Sequence, residues 1–378
     1  MTQLTGRDPS LLRRINSAVT LHALRGADAL TLTQLMEDTG LSRPTVEGVV
    51  EGLTRQGLVA EVDPDAGAPR RGRPARRYRF RAEAGHLLGL EVGVRAVRGV
   101  LADLGGTVVG TLRRDVHQET AADERLGAVR ALVADLLRRS GVPRGNLRAV
   151  GLGTPGIIGA DGAVELCAAV PGWTGLDLGA RLRRSFRCPV LVENDANLAA
   201  IGEHWKGAAV GADSMVFVLA GLSPGAGSLI NGRLHRGFGG AAGEIGALHL
   251  LGRQADPEHL LSTTDTPLRP LDEQAVAGVL RRAAEGDAEA SEALDRFVER
   301  LSHDVAALVL AIDPEVVVIG GWATGLDGLL EPLRARLAGH CLRAPRVALT
   351  ELGEEAVALG ALRTALDHVE RELFAVDR

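Results

Sequence analysis

Cysteine is scarce: Cys167, Cys188 and Cys341 stand far apart in a chain of 378 residues. An odd, scattered set excludes a disulfide framework and a cysteine-rich metal site. Long apolar runs are missing too. The richest stretch, Val305 to Gly321, is broken by Asp313-Pro314-Glu315 and falls short of bilayer-spanning length. Arg13-Arg14 precede no apolar signal core or cleavage site, so no secretory leader is expected. Lys206 is the single lysine among 43 basic residues, a compositional bias without functional meaning. With 46% apolar residues and a mean hydropathy of +0.08, the chain is not disordered. Its length allows two or three folding units, and a soluble cytoplasmic protein is expected.

Charge is unevenly placed. The whole chain sums to −5, but residues 1–85 carry 13 arginines against 10 carboxylates, a net of +3. Arg70, Arg71, Arg73, Arg76, Arg77, Arg79 and Arg81 fall within twelve residues that contain no acid. Such a block serves a polyanion or is merely solvated, and its neighbours decide which.

Those neighbours have the order of a DNA-binding module. Leu11, Ile15 and Val19 recur every four residues and predict an amphipathic helix. Thr33 is placed to cap a short helix ending at Asp38, followed by a tight turn at Gly40. Ser42 and Pro44 open a second helix with Val46, Val49, Val50 and Leu53 on one face, closed by Gly57. Strands are expected at Leu58–Val62 and Arg77–Phe80. This is a winged helix-turn-helix, with a three-helix packing or dimerisation unit as the alternative. In a winged helix, the N-terminal end of the second helix of the pair meets the major groove. Ser42, Arg43 and Thr45 are therefore the candidates for base or phosphate contacts with double-stranded operator DNA. Arg71-Gly72-Arg73-Pro74 is slim enough to enter a narrow minor groove, which makes Arg71 and Arg73 candidates as well. The expected division is 1–69 for the DNA-binding unit, 70–85 for an arginine-rich linker and wing strand, and 86–378 for a body.

The body alternates strands and helices, as an α/β fold does. A meander over Leu87–Thr111 is roughly echoed from Met215 to Leu234, which predicts two related lobes with a cleft between them. Five motifs occur in order: Val150-Gly-Leu-Gly-Thr154-Pro155-Gly156, Pro189-Val-Leu-Val-Glu193-Asn194-Asp195-Ala196-Asn197, Leu229-Ile-Asn231-Gly232-Arg233-Leu234, Gly243-Glu244-Ile245-Gly246 and Asp313-Pro-Glu-Val-Val-Val-Ile-Gly320-Gly321. Together they resemble the ROK family of repressors and sugar kinases. The resemblance implies an actin-like body, a duplicated ribonuclease H-like fold, and the N-terminal module points to the repressor branch. It also implies that Gly153, Thr154, Pro155 and Gly156 lie along a sugar, with Asn194, Asp195 and Glu244 binding it. In the family's kinases, the residue matching Asp195 is the base that deprotonates the attacking hydroxyl. Taken alone, Asp195 also reads as an N-cap of the following helix.

Departures from the family pattern bear on activity. Kinases of the family open with Asp-x-Gly-Gly-Thr, whose small residues admit ATP phosphates to the backbone. The corresponding strand end here is Glu91-Val92-Gly93-Val94-Arg95, and the similar Asp103-Leu104-Gly105-Gly106-Thr107 one strand later reads as a hairpin turn. The second phosphate loop is partly degraded at Ser223-Pro224-Gly225-Ala226-Gly227. Phosphoryl transfer depends on positioning and electrostatic clamping, so no catalytic residue and no enzyme activity is expected. The family's zinc ligands are missing as well: Ala247 stands at the histidine position, and no cysteine lies between Cys188 and Cys341. His249, Asp256 and His259 match no common zinc spacing. The expectation is a regulator, in the sense of a repressor of carbohydrate metabolism, with no metal or cofactor. It binds a sugar or sugar-phosphate effector and forms a homodimer or homotetramer away from any membrane. A ligand-independent DNA-binding protein and a sugar kinase with an appended DNA-binding domain are the alternatives.

Overall fold

The computed structural model describes residues 9–62, 75–221, 224–247, 260–268, 273–322 and 328–374. The first module runs α1 (Pro9–Arg25), β1 (Leu30–Thr31), α2 (Leu32–Thr39), α3 (Arg43–Arg55), β2 (Val59–Val62) and β3 (Arg77–Phe80). Its strands pair antiparallel in the order β1-β3-β2, which makes the module a winged helix.

Two local expectations are corrected. Thr31, not Thr33, caps α2: its hydroxyl accepts from the Gln34 N–H while the Gln34 side chain accepts from the Thr31 N–H. The reciprocal capping box outcompetes the lone hydroxyl of Thr33, which is already the second residue of the helix. In α1 the inward residues are Ala18, Leu21 and Leu24, and Val19 is 41% exposed. The i, i+3 row, not the i, i+4 row, faces α2 and α3. Gly40 ends α2 at φ +69°, a turn that costs a residue with a Cβ about 1 kcal/mol or more.

In the body, β4 (His86–Val92), β5 (Ala96–Asp103) and β6 (Val108–Asp115) form an antiparallel meander. After α4 (Ala122–Arg139), β7 (Leu147–Thr154) pairs parallel to β4. The small hairpin β8 (Ile157–Ile158) and β9 (Val164–Leu166) and helix α5 (Leu178–Arg183) precede β10 (Val190–Asn194), which pairs parallel to β7. Helix α6 (Asp195–Lys206) leads into the second lobe. There β11 (Met215–Leu219), β12 (Gly225–Ile230) and β13 (Arg233–Leu234) form another meander. Helices α7 (Glu273–Ala284) and α8 (Ala288–Ile312), strand β14 (Val316–Gly320), helix α9 (Leu330–His340) and strand β15 (Arg346–Leu349) complete it, before the long α10 (Ala356–Phe374).

The two sheets have the orders β10-β7-β4-β5-β6 and β13-β12-β11-β14-β15. Each is a three-stranded antiparallel meander whose first strand carries two further parallel strands on its free side. The duplication expected from the sequence is thus a duplication of topology, and the fold is the α/β actin-like one. The turn Asp103–Thr107 is a hairpin connection: the Asp103 carboxylate accepts from the Gly105 and Thr107 N–H groups at 2.9 and 3.0 Å.

Helix α10 returns from the second lobe to the first and packs on β4, β7 and α6. Its contact with α6 is backbone on backbone. A Cβ at Gly360 would stand 1.7 Å from the Leu198 carbonyl oxygen, and one at Gly202 2.4 Å from that of Ala356. The junction between β15 and α10 is held by the buried Glu203, whose carboxylate accepts from Ala208 N at 2.7 Å and Leu352 N at 3.1 Å and from the Thr350 hydroxyl.

Candidate ligand cleft and nucleic-acid interface

The N-terminal end of α3 faces solvent. Ser42 has the extended backbone of an N-cap, but its hydroxyl lies 2.8 Å from that of Thr45 and makes no cap bond. Arg43 is exposed and pairs with Glu47 one turn on, at 2.9 Å. An exposed pair of this kind contributes well under 1 kcal/mol, so a phosphate or base edge competes for the guanidinium at little cost.

The arginine block divides. Arg76 pairs with Glu61, Arg79 and Arg81 with Glu83, and Arg77 donates to the Ala29 carbonyl at 2.8 Å. These four serve the wing's own structure. Paired with Arg79, the Glu83 carboxyl is pulled down to about 2. Arg71 and Arg73 lie outside the described residues.

In the cleft, β7 and β10 run side by side and end together, Thr154 opposite Asn194. The residues expected to hold a sugar separate into two kinds here. Thr154 is fully buried; its hydroxyl donates to the Val92 carbonyl at 3.1 Å and accepts from the Trp173 indole at 2.9 Å. Gly153 is packing space, since a Cβ there would meet Val357 and Leu198 at 2.5 and 2.9 Å. Asn194, not Asp195, is the N-cap of α6: its amide oxygen accepts from Asn197 N, and its NH2 donates to the Gly156 carbonyl. Asn194 thereby ties the segment Pro155–Gly156 to the start of the helix.

Asp195 is left for other work. Among the described residues its carboxylate accepts from the neighbouring Ala196 N–H, and it is partly buried. Burial pushes its carboxyl up to about 6, and the negative charge of Glu244 adds to the rise. Desolvation raises Glu244 as well. The charge of Glu244, an exposed residue of the second lobe, therefore bears on the partly buried Asp195 just past the end of the first-lobe strand β10. Hydroxyl groups of a polyol satisfy such a pair by donating to it.

Two links escaped the sequence reading. Glu193 is buried; one oxygen accepts from Asn194 N and the Asn197 side chain at 2.9 and 3.0 Å, the other from Arg236 of the second lobe. Arg25 of the winged helix pairs with Glu370 of α10, which also receives Arg363 at 3.2 Å. Only the Glu193-Asn194-Asp195 run was visible beforehand, and it did not name a partner.

The family model described as the ROK family matches residues 87–368. The chain belongs to the ROK family. A model for the IclR helix-turn-helix domain matches residues 21–63 of the DNA-binding module. The xylose repressor of Caldicellulosiruptor bescii is 26% identical, over 93% of this chain and 96% of its own. The glucokinase of Halalkalibacterium halodurans is 28% identical over 72% of this chain and 92% of its own. Among solved structures, a ROK family transcriptional regulator homologous to the E. coli MLC protein covers 96% of this chain and 97% of its own. Its TM-score is 0.68 at 18% identity, a likeness of fold.

The strand end that matches the Asp-x-Gly-Gly-Thr of the family's kinases carries an ion-pair cluster in this chain. The Glu91 carboxylate accepts from Arg98 at 3.1 Å, and Arg98 also donates to Glu354 at 2.7 Å, which receives Arg113 at 2.7 Å. Burial lifts the Glu91 carboxyl to about 7 despite the Arg98 charge beside it. Behind it, the buried Arg125 donates to the carbonyls of Gly93 and Val94 at 2.6 and 2.9 Å. That turn is locked with carbonyls engaged by a side chain. At Gly320 and Gly321 a Cβ would meet the Phe217 ring and the Ala220 carbonyl, so packing by itself requires both glycines.

The family's zinc does not fit this ROK chain: Ala247 offers no ligand atom and no cysteine follows before Cys341. His249, Asp256 and His259 lie outside the described residues. Among the described residues, no helix is long and apolar enough to cross a membrane.

Proposed function

We propose that this ROK chain is a sugar-responsive transcriptional repressor of carbohydrate metabolism. It acts in the cytoplasm as a homodimer or homotetramer and does not transfer phosphate. One contact carries the proposal. Arg25, in the first helix of the winged helix, is ion-paired to Glu370 of α10, the helix that packs on the first lobe's sheet and on α6 behind Asp195. A sugar or sugar phosphate that draws Asp195 and Glu244 together shifts the population of lobe arrangements, and α10 passes the shift to the DNA-binding module. In an oligomer, the spacing of two winged helices then departs from that of the operator half-sites.

The domain division follows the same lines: residues 1–69 read DNA, 70–85 join, and 86–378 bind the effector and the partner subunit. Ser42, Arg43 and Thr45 meet the major groove, Arg71 and Arg73 the minor groove. Asp195 and Glu244 hold the effector's hydroxyls. Gly153, Thr154, Pro155, Gly156 and Asn194 shape the wall behind them. The names of relatives such as the xylose repressor support a sugar as effector. The Glu91–Arg98–Glu354 cluster supports loss of phosphoryl transfer, because it occupies the strand end that must admit phosphates.

The test is fluorescence anisotropy of a labelled fragment from the gene's own upstream region, titrated with sugars and sugar phosphates. Excess nonspecific DNA and near-physiological salt are needed, since charge alone gives binding at low salt. Release by one compound is expected. DNA that stays bound with every compound supports instead a ligand-independent regulator, the reading to which Ala247 points. ADP release in a coupled assay with the same sugars contradicts the non-enzymatic reading.

A further inference from the structure

Outside the cleft, the described residues hold one cluster of metal-ligating side chains: Glu299, His303 and His340. Glu299 and His303 are four residues apart on α8, so they share a face one turn apart. His340 is the last residue of α9, and the imidazoles of His303 and His340 lie side by side, with ring centroids 4.8 Å apart and planes 26° from parallel. One ligand atom from each of the three residues falls within 4.8 Å of the others.

We propose that this cluster is a binding site for a divalent transition-metal ion of the zinc type, joining α8 to the end of α9. The geometry supports it in three ways. Glu299 Oε1 and His303 Nε2 are 3.2 Å apart, close to the edge of about 3.3 Å expected between ligands of a tetrahedral zinc ion. The Glu299 carboxylate is already oriented: its other oxygen accepts from Arg336 Nε at 2.7 Å, and Arg336 is balanced by Asp295. Ligating carboxylates are held in this way by an outer shell. Both helices are rigid at the site, because Leu333 and Leu337 of α9 are fully buried against the second-lobe core that α8 builds with Phe297, Leu301 and Val305.

Two imidazoles and one carboxylate select zinc, cobalt, nickel or copper over magnesium and calcium, which prefer oxygen ligands. His303 and Glu299 are about half exposed, at 51% and 46% of their side-chain surface, which leaves a fourth position for water. The ion is a structural brace. It would fasten the C-terminal end of α9, whose chain continues into the edge strand β15 and from there to the Glu203-held junction before α10. None of these residues belongs to the effector cleft, so the site stands or falls independently of the proposed regulation.

The experiment is isothermal titration of zinc chloride into untagged, chelator-stripped full-length protein, with cobalt absorption as a second readout. One zinc per chain with micromolar or tighter affinity is expected. The His303→Ala and His340→Ala variants should each lose it by about 100-fold or more, and Arg336→Ala, which releases the carboxylate, by about tenfold. Circular dichroism of the histidine variants confirms that their fold is kept. Absence of zinc uptake by the wild type overturns the proposal, as does uptake unchanged in the double histidine variant.

Discussion

Arg236 reaches from the second lobe to Glu193 in the first, and the oxygen it leaves free on Glu193 holds the start of α6. The residue that bridges the two lobes thus sits two positions before Asp195. Removing the guanidinium leaves a buried carboxylate that keeps only its two neutral donors. Arg236→Ala is expected to loosen effector binding about tenfold, with operator affinity in the absence of effector little changed. Titrating the released fraction in the anisotropy assay measures both.

Glu370 tests the coupling to DNA. The Arg25–Glu370 pair is about one-fifth exposed on each side, so it is neither a free surface pair nor a fully desolvated one. Glu370→Gln should keep operator binding within about threefold and lower the effector's power to release DNA. The effect is a fraction of the coupling energy of about 1–3 kcal/mol usual for such systems. An effector midpoint and amplitude equal to those of the wild type would remove this pair from the mechanism.

Asp195 links the cleft to pH. Its carboxyl lies near 6 in the folded chain against 3.8 when unperturbed, so the folded state holds the proton more tightly. The stabilisation from this group is complete below about pH 4 and drains away as pH rises through 6. Asp195→Asn removes that loss. The variant should be more stable than the wild type by about 1–3 kcal/mol at pH 7.5, converging with it toward pH 4 in urea titrations. It should also bind operator while ignoring the effector.

Arg73→Ala should weaken operator binding, most of all with an A/T-rich flank, and lower the salt slope by about one. Arg77→Ala should act on stability instead, because its guanidinium donates to the Ala29 carbonyl inside the winged helix. Comparing the two by anisotropy at several salt concentrations separates a DNA contact from a structural one.

Thr154→Val keeps the shape of a buried residue but strands the Trp173 N–H and the Val92 carbonyl. A loss of about 1–3 kcal/mol is expected from the urea midpoint. Effector affinity should fall far less than in Asp195→Asn if the hydroxyl serves the wall and not the sugar.

Local chemistry made much of this protein legible in its sequence. Gly40 after a short helix, Val46, Val49, Val50 and Leu53 on one face, and paired short strands define a winged helix through contacts a few residues long. The Asp103–Thr107 hairpin is equally local, which is why it could be told apart from a phosphate loop. The five ordered motifs carried the family resemblance, and with it the expectation that Asp195 and Glu244 share one cleft. The choice of cap at α6 was not legible: Asn194 and Asp195 are both good N-caps, and the strand end at β10 decides which one turns toward the helix. The tertiary structure alone also decided where the charges go. Arg98 finds Glu354 across 256 residues, and Arg25 finds Glu370 across 345. An arginine in a sequence carries no mark of its partner, because ion pairs have no periodicity. Only the folding of two lobes and one returning helix brings those groups within reach.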